Sequence, residues 1–598
     1  MTTSTNFHFS SNFLENRLLF KNTNKPPQET LDIGEIPTSE PPSSEEIQKT
    51  KKTDTDFPSI ETLLREHQNI AENPDRANLR EHALVHRECI ETKAHALATW
   101  TPPESTGRSP NDTFIVEGEC SDEIDWTSPN NIPLEPEIFD GVVEEAAKVL
   151  KQKENLFVIN CMVGADAEHA MPVKIITDKA LTSLFAYNMF WPVPDDMDEK
   201  DFNDEVFTLV ALPKDKVDSN SVVQQISGDS EDSKRDMIIA MDLDRKMGIV
   251  YGSEYLGSVK KTIFTVMNHY LPKKGILSLH CGAYENDAGE TTLMLGLSGT
   301  GKTTLSMDPE RAIIGDDEFG WSKEGIFNME AGNYAKAIGL DPEEEPVIWD
   351  AICDARIAVN TIIENAMIFP NGELDLNDTR LTPNSRASFP LSALGDNAKQ
   401  EAVGNHPKTM VFLTADASGV LPPISKLTPK QAMLWFCMGY TSKLAGTETG
   451  IDKPIPTFSR FFGQPFMPGK PEVYSDLLAE KLEEHGTQVF IINTGWTGGP
   501  YGEGHRIDIE NTRAMLRAAE TGQLDNVEYR EDPRFHVSVP LECPGVDSAI
   551  LNPKSTWEDE DAYEEAADTL AGAFSEHFDK TYGQANFDDA IKKSCPGK

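Results

Sequence analysis

The residues Gly296-Leu297-Ser298-Gly299-Thr300-Gly301-Lys302-Thr303 satisfy the spacing G-x-x-x-x-G-K-[S/T] directly after the apolar run Thr292 to Leu295, and Thr304 follows. Glycines in such a loop let backbone N–H groups approach phosphate oxygens, the lysine neutralises the β- and γ-phosphates, and the Thr303 hydroxyl reaches a nucleotide-bound Mg²⁺. The chemistry is the binding of a nucleoside triphosphate. A second apolar run ends in Gly315-Asp316-Asp317-Glu318, where paired carboxylates suit a divalent metal, directly or through water. His280 closes the run Ile276 to Leu279, and Lys260-Lys261 follow the Gly/Tyr-rich Tyr251 to Gly257. Taken singly, these read as ordinary core or surface residues. Thr106-Gly107-Arg108-Ser109-Pro110 and Asn384-Ser385-Arg386 each present an arginine able to hold a carboxylate or phosphate bidentately. Asn493-Thr494-Gly495-Trp496, upstream of Gly504 to Arg513, reads either as a ligand loop or as a plain turn.

Composition narrows what these groups act on. With 54 basic and 99 acidic residues the formal charge is −45, which repels nucleic acid and anionic lipid. Neither is expected as a partner, and no stretch approaches the ~18 consecutive apolar residues of a membrane-spanning helix. Eight cysteines lie far apart without a CxxC pair, so neither a disulfide framework nor a zinc knuckle is expected. The cytoplasm is the expected location. Phe7, Phe9, Phe13, Leu18 and Leu19 with Arg17, Lys21 and Lys25 weakly resemble an organelle-targeting peptide, with mitochondria as the alternative, but Glu15 argues against it.

At 598 residues the chain has room for two or more packed domains. Residues 1–58 are rich in Ser, Thr, Pro and Glu and are expected to be a disordered extension. From 59 to 274 apolar runs alternate with helical patterns, with strands expected at Leu156 to Ile159 and Val173 to Ile176. The acidic stretch Asp215 to Asp236 interrupts this region as a surface loop. From 275 to 598 short strands recur at Ile276 to Leu279, Thr292 to Leu295, Ala312 to Ile314, Thr409 to Leu413 and Val489 to Ile492. Ala562, Ala566, Leu570, Phe574 and Phe578 recur every four residues, predicting an amphipathic surface helix.

Taken in order, TGRSP, YxxxxKK, the strand ending in His280, GLSGTGKTTL, GDDE, NSRASFP, TADASGVLPP, KLAGTE, NTGW and RIxIxxTRA resemble ATP-dependent phosphoenolpyruvate carboxykinases, from about Thr106 to the C-terminus. The GTP-using relatives carry a cysteine in the phosphate loop where this chain has Ser-Gly-Thr, so the resemblance implies ATP. It implies an α/β fold of two lobes, an α+β substrate domain and a P-loop-containing nucleotide domain, with the active site in the cleft. The implied reaction converts oxaloacetate and ATP to phosphoenolpyruvate, CO₂ and ADP, in gluconeogenesis or C4-type carbon metabolism. The partners are then these small molecules, acting on a monomer or homo-oligomer. An inactive nucleotide-binding homologue and a P-loop kinase of another substrate remain as alternatives.

By the same resemblance, Lys261, His280 and Asp317 bind a transition metal, typically Mn²⁺, while Thr303 binds the nucleotide Mg²⁺ and Asp316 orders its shell. A lysine ligates only when neutral, and both the adjacent Lys260 and the metal disfavour its ammonium form. Lys260 then faces the substrate or the transferring phosphate. Arg108 grips the oxaloacetate carboxylate, Tyr255 lines the substrate or CO₂ pocket, Arg386 bridges substrate and γ-phosphate, and Ser298 lies beside the transferred group. Lys336, Glu345, Arg506, Ile507 and Thr512 complete the ATP site. The chain departs from the family pattern at Leu256, Ser258, Val259, Gly282, Tyr284, Phe319, Asn111 and His505. The first three predict a smaller acidic and packing complement around Lys261.

Overall fold

The computed structural model describes residues 57–218, 235–297, 299–306, 311–443, 454–583 and 587–598, excluding the side chains of Thr303, Thr304 and Lys443. Residues 1–56 of the expected extension, most of the acidic stretch, Ser298 and the KLAGTE segment beyond Lys443 lie outside the described residues; the expected extension to residue 58 is too long, because Phe57 is buried and Pro58 opens the helix Pro58–Glu66. All described residues fall in the compact unit Asp54–Lys598. Among them no helix is long and apolar enough to cross a membrane.

A mixed α/β architecture carries the site on three sheets. The first has eight strands, in the order Ile70–Glu72, Leu156–Val163, Met171–Thr177, Phe207–Leu212, Met247–Tyr251, Ile238–Asp242, Thr113–Val116 and Ile132–Leu134. Its central strands are apolar at nearly every position because both faces are covered. Along Phe207–Leu212, Leu209 and Ala211 enter one core while Val210 and Leu212 enter the other, where helix Pro136–Leu150 packs. The alternation follows from the two-residue period of a strand.

The second sheet has eleven strands between residues 277 and 540. Its centre is Leu277–Glu285, antiparallel to Thr291–Gly296 on one side and to Glu318–Trp321 on the other. Thr291–Gly296, Thr409–Thr414 and Gln488–Asn493 run parallel, so the phosphate loop, the TADASG segment and the NTGW turn all leave the same carboxyl edge, where open α/β sheets bind ligands. The third sheet joins distant segments: Gly332–Lys336, Arg386–Pro390, Ile362–Glu364, Leu97–Thr99 and Ile90–Glu91.

Every strand expected from the apolar runs is present, with changed ends. His280 does not close its strand but lies in the middle of Leu277–Glu285, because Gly282 and Tyr284 continue the pairing. The predicted late helix is Glu560–Tyr582, but its buried stripe is Tyr563, Ala567, Leu570, Ala571, Phe574, Phe578 and Tyr582. Ala562 and Ala566 fall at its margin, since a strict four-residue repeat drifts off one face of a 3.6-residue helix.

One buried pair fastens a long loop to the first half of the chain. The Arg460 guanidinium donates to the Asp125 carboxylate, with both side chains almost fully buried. Next to it, Asp125 N–H and the Asn131 amide donate to the Pro468 carbonyl at 2.9 and 3.0 Å. Between these ties run Phe461 and Phe462, both with left-handed backbones at φ 60° and 56°, a conformation that costs free energy and persists only where the surroundings enforce it. Asp125→Ala leaves Arg460 buried without its counter-charge, and we expect a loss of about 3–5 kcal/mol in denaturant unfolding. A loss below about 1 kcal/mol, the scale of an exposed pair, would contradict this reading.

Candidate active site

The phosphate loop is built by three glycines. Gly299 and Gly301 have φ of 86° and 89°, which a side chain at either position would strain. A Cβ on Gly296 would meet Thr300 Oγ1 at 2.5 Å. Thr300 closes the turn by donating through N–H and hydroxyl to the Leu297 carbonyl, at 3.3 and 2.8 Å. From just past the end of strand Gln488–Asn493, two strands across the sheet, the Thr494 hydroxyl donates to Thr300 O at 2.9 Å. The NTGW segment therefore buttresses the loop. Lys302 begins the short helix Lys302–Ser306 and extends to Asp317 Oδ1 at 3.3 Å.

Strand register assembles the charged centre. His280 stands directly across from Glu318 in the pairing of Leu277–Glu285 with Glu318–Trp321, and Asp317 precedes that strand. Asp317 Oδ2 lies 2.8 Å from Lys260 Nζ and 2.7 Å from Lys261 Nζ, while Oδ1 lies 3.2 Å from His280 Nδ1. Lys261 also pairs with Glu318, and Lys260 with Glu330 at 2.8 Å. Both lysines stand in the first turns of helix Gly257–Lys273, which is buried on nearly all sides. A Cβ on Gly463 would meet His280 Cβ at 2.8 Å, so a glycine lets the loop lie against the imidazole.

These surroundings divide the protonation states. Burial alone would raise the Asp317 carboxyl, but Lys260, Lys261, His280 and Lys302 hold it well below the usual carboxylate range. Burial pushes Asp316 and Glu318 up, in each case with Asp317 adding to the rise, and brings Glu330 to about 8 against the pull of Lys260. Like charges this close do not all ionise, and Asp317 carries the negative charge. Burial disfavours the Lys260 ammonium, yet Asp317 and Glu330 outweigh it and hold the group charged. Burial, then the charges of Lys302, Lys261 and Lys260, lower His280 well below 6.5 against the pull of Asp317, leaving a neutral imidazole. Its Nδ1 faces Asp317 O at 3.1 Å and Oδ1, so Nδ1 carries the proton and Nε2 the lone pair.

The donor set fits a divalent cation. Ligand atoms of His280, Asp317 and Glu318 lie within 4.8 Å of one another. Asp316 Oδ1 and Glu318 Oε2 are buried without a hydrogen-bond partner among the described residues. Helix Gly257–Lys273 has no acid in its first turn, and the acids beside the lysines come from other elements, Glu318 flanking Lys261 and Glu330 beside Lys260.

Arg108 and Lys261 share one aromatic ring, with the guanidinium 4.6 Å and the amine 4.3 Å from the centre of Phe466. Asn384 links the two substrate-side arginines: its amide donates to Thr106 O at 2.9 Å and accepts from Arg386 Nε at 3.0 Å. Tyr255 is buried, and a Cβ on Gly257 would meet its ring at 2.4 Å. Lys336 is the cross-strand partner of Arg386. On the nucleotide side, Arg506 donates to Gly299 O and Thr494 O at 3.1 and 2.9 Å, and Ile507 N–H donates to Gly495 O. The Thr512 hydroxyl bonds Asp508 O within its own helix, and Glu345 stands at the start of helix Pro346–Cys353. Sequence reasoning missed Glu330 beside Lys260, Phe466 beneath Arg108 and Lys261, and Tyr334, whose ring faces Lys260 and Arg386 and whose hydroxyl donates to Glu364, also missed. A lone acid inside an apolar run, as in Ile362-Ile363-Glu364, was the available signal for the two glutamates.

The family model described as Phosphoenolpyruvate carboxykinase matches residues 68–549. "Phosphoenolpyruvate carboxykinase (ATP)" of Caldanaerobacter subterraneus subsp. tengcongensis is 46% identical over 513 residues, covering 86% of this chain and 95% of its own. The protein of that name from Geobacillus kaustophilus is 43% identical over 518 residues, covering 86% and 94%.

Because His280 titrates below the 6.5 of a free imidazole, the unfolded chain takes up this proton first. The stability it contributes is present above about 6.5 and is lost as the pH falls below that value. In the metal-free protein we expect nuclear magnetic resonance to show a neutral His280 ring at pH 6.5. Titration at or above 6.5 would contradict the assignment.

Proposed function

The chain belongs to the ATP-dependent phosphoenolpyruvate carboxykinase family, and we infer from this membership and from the site that it decarboxylates oxaloacetate and transfers the γ-phosphoryl group of ATP to the resulting enolate. The products are phosphoenolpyruvate, CO₂ and ADP. The observation that carries this reading is the convergence of Lys260, Lys261, His280 and the phosphate-loop Lys302 on Asp317. A generic P-loop kinase has no need of the tandem lysines, and loss of turnover would not preserve this set.

Two anionic reactants must be brought together, a dicarboxylate and a triphosphate. Arg108 holds the substrate carboxylate, with Phe466 stacked beneath its guanidinium. Cleavage of the bond to the departing carboxylate leaves its electron pair as an enolate, and the enolate oxygen attacks the γ-phosphorus as the bond to ADP breaks. Arg386 lies between the reactants, while Lys260 and Lys302 offset charge on the enolate and the phosphoryl oxygens. Ser298 and Thr300 belong to the loop that cradles the phosphates, and Thr304 lies in the helix that Lys302 begins. Lys336, Glu345, Arg506, Ile507 and Thr512 bind the nucleotide.

The family depends on a divalent metal. We assign a transition-metal site to Lys261, His280 and Asp317, with Mn²⁺ as its ion, and a nucleotide Mg²⁺ to Thr303 with Asp316 ordering its shell. When bound, these ions supply Lewis-acid charge to the substrate carbonyl and the phosphates. Residues 59–274 then form the substrate side and 275–598 the nucleotide side of a cleft, and its closure on ATP protects the enolate from water.

Purified protein given phosphoenolpyruvate, bicarbonate, Mg²⁺ and Mn²⁺ is expected to form oxaloacetate with ADP, read as NADH loss through malate dehydrogenase. Activity with GDP instead would overturn the nucleotide assignment, and silence with both would overturn the reaction. Lys261→Met and His280→Gln should each lower Mn²⁺-supported turnover by about 10²-fold or more, as loss of a charge-stabilising group at a reacting centre does. Mn²⁺ binding measured by paramagnetic resonance should weaken in parallel, with an unchanged circular dichroism spectrum. Wild-type-like behaviour of either variant removes that residue from the metal site.

A further inference from the structure

Glu364 ends the middle strand of the third sheet, directly across from Arg386, and its side chain is 1% exposed. Its two oxygens are used in two directions. Oε1 accepts the Leu256 N–H at 3.0 Å, and Oε2 accepts the Tyr334 hydroxyl. Neither hydrogen-bond partner carries a formal charge, and burial raises the carboxyl to about 7 against the pull of both bonds and of Arg386. A pair of apolar side chains would fill the same space more cheaply.

The two bonds lead to the reacting groups. Leu256 immediately precedes the helix Gly257–Lys273, whose start has no side-chain cap and no acid in its first turn. Opening N–H groups of a helix lack intrahelical acceptors and carry partial positive charge. Glu364 supplies the missing acceptor from 108 residues away, fixing where that helix begins and hence where Lys260 and Lys261 stand. Through the other oxygen it holds Tyr334, whose ring centre lies 5.7 Å from Lys260 Nζ and 5.9 Å from the Arg386 guanidinium. Tyr255 lies 5.9 Å from the same ring, and Phe185 5.3 Å. A phenol that donates to a carboxylate gains electron density on its ring, which strengthens the attraction of both cations.

We propose that Glu364 is a positioning residue that places the lysine helix and the Tyr334 ring so that Lys260 and Arg386 meet the anionic substrate in one fixed arrangement. This rests on the carboxykinase reading, and its test separates the two. Glu364→Leu removes both bonds together with the buried carboxylate, while Glu364→Gln keeps an acceptor for Leu256 and a partner for Tyr334.

Phosphoenolpyruvate binding in the presence of Mn²⁺ and ADP, followed by titration calorimetry, reads the arrangement without turnover. In Glu364→Leu we expect binding to weaken and kcat to fall, each by about 10-fold or more, the scale of an ångström-level misplacement. Its melting temperature should shift little, because losing the buried carboxyl offsets the cost of leaving the Leu256 N–H and the Tyr334 hydroxyl without an acceptor. Glu364→Gln should recover binding and kcat to within about 3-fold of wild type, less than half a decade on the same scale. Parallel loss of melting temperature and activity in Glu364→Leu would make the residue merely structural. Unchanged binding and kcat in that variant, or no recovery in Glu364→Gln, would overturn the proposal. If wild-type protein binds no phosphoenolpyruvate, the functional reading falls and this inference falls with it.

Discussion

The single carboxylate of Asp317 is the point on which the rest of the site depends. Three lysines from two helices and one imidazole reach it, and without it their charges would face one another across a buried pocket. Electrostatics at that range is expensive. The surrounding acids answer the imbalance by holding their protons, which leaves the pocket electropositive on a chain whose formal charge is −45. A local cationic centre in an anionic molecule draws in anionic reactants while the outer surface stays inhospitable to polyanions.

Much of this was written in local patterns. The phosphate loop was legible because its chemistry demands glycines and a lysine at fixed spacing, and because a strand precedes it. The parallel strands behind it were legible as apolar runs. His280 was harder: a histidine closing the run Ile276 to Leu279 looks like a strand end, and only the pairing of Cys281 to Glu285 with Thr291–Gly296 carries the strand past it, while the pairing with Glu318–Trp321 sets it across from Glu318.

What could not be read was everything made by segments far apart in sequence. Glu330 meets Lys260, Phe466 meets both Arg108 and Lys261, and Glu364 meets Leu256 only after three sheets have been assembled. Nothing in the spacing of Arg460 and Asp125 announces that they will pair and hold the strained Phe461–Phe462 backbone. The late helix shows a smaller version of the problem. Its repeat is visible, but which residues face inward depends on the packed partner and on helical drift.

The sheet that joins Leu97–Thr99 to Ile362–Glu364 also sets a timetable for synthesis. Leu97 has no strand partner on that side until Ile362 has left the ribosome, and at roughly 5–20 residues per second this takes on the order of tens of seconds. Through that interval the strand exposes an unpaired edge, a template for wrong partners. Contacts so distant in sequence form slowly because a long loop must close before they stabilise anything. The same connection that brings Arg386 and Lys336 beside the lysine helix therefore makes the newborn chain dependent on a long protected wait.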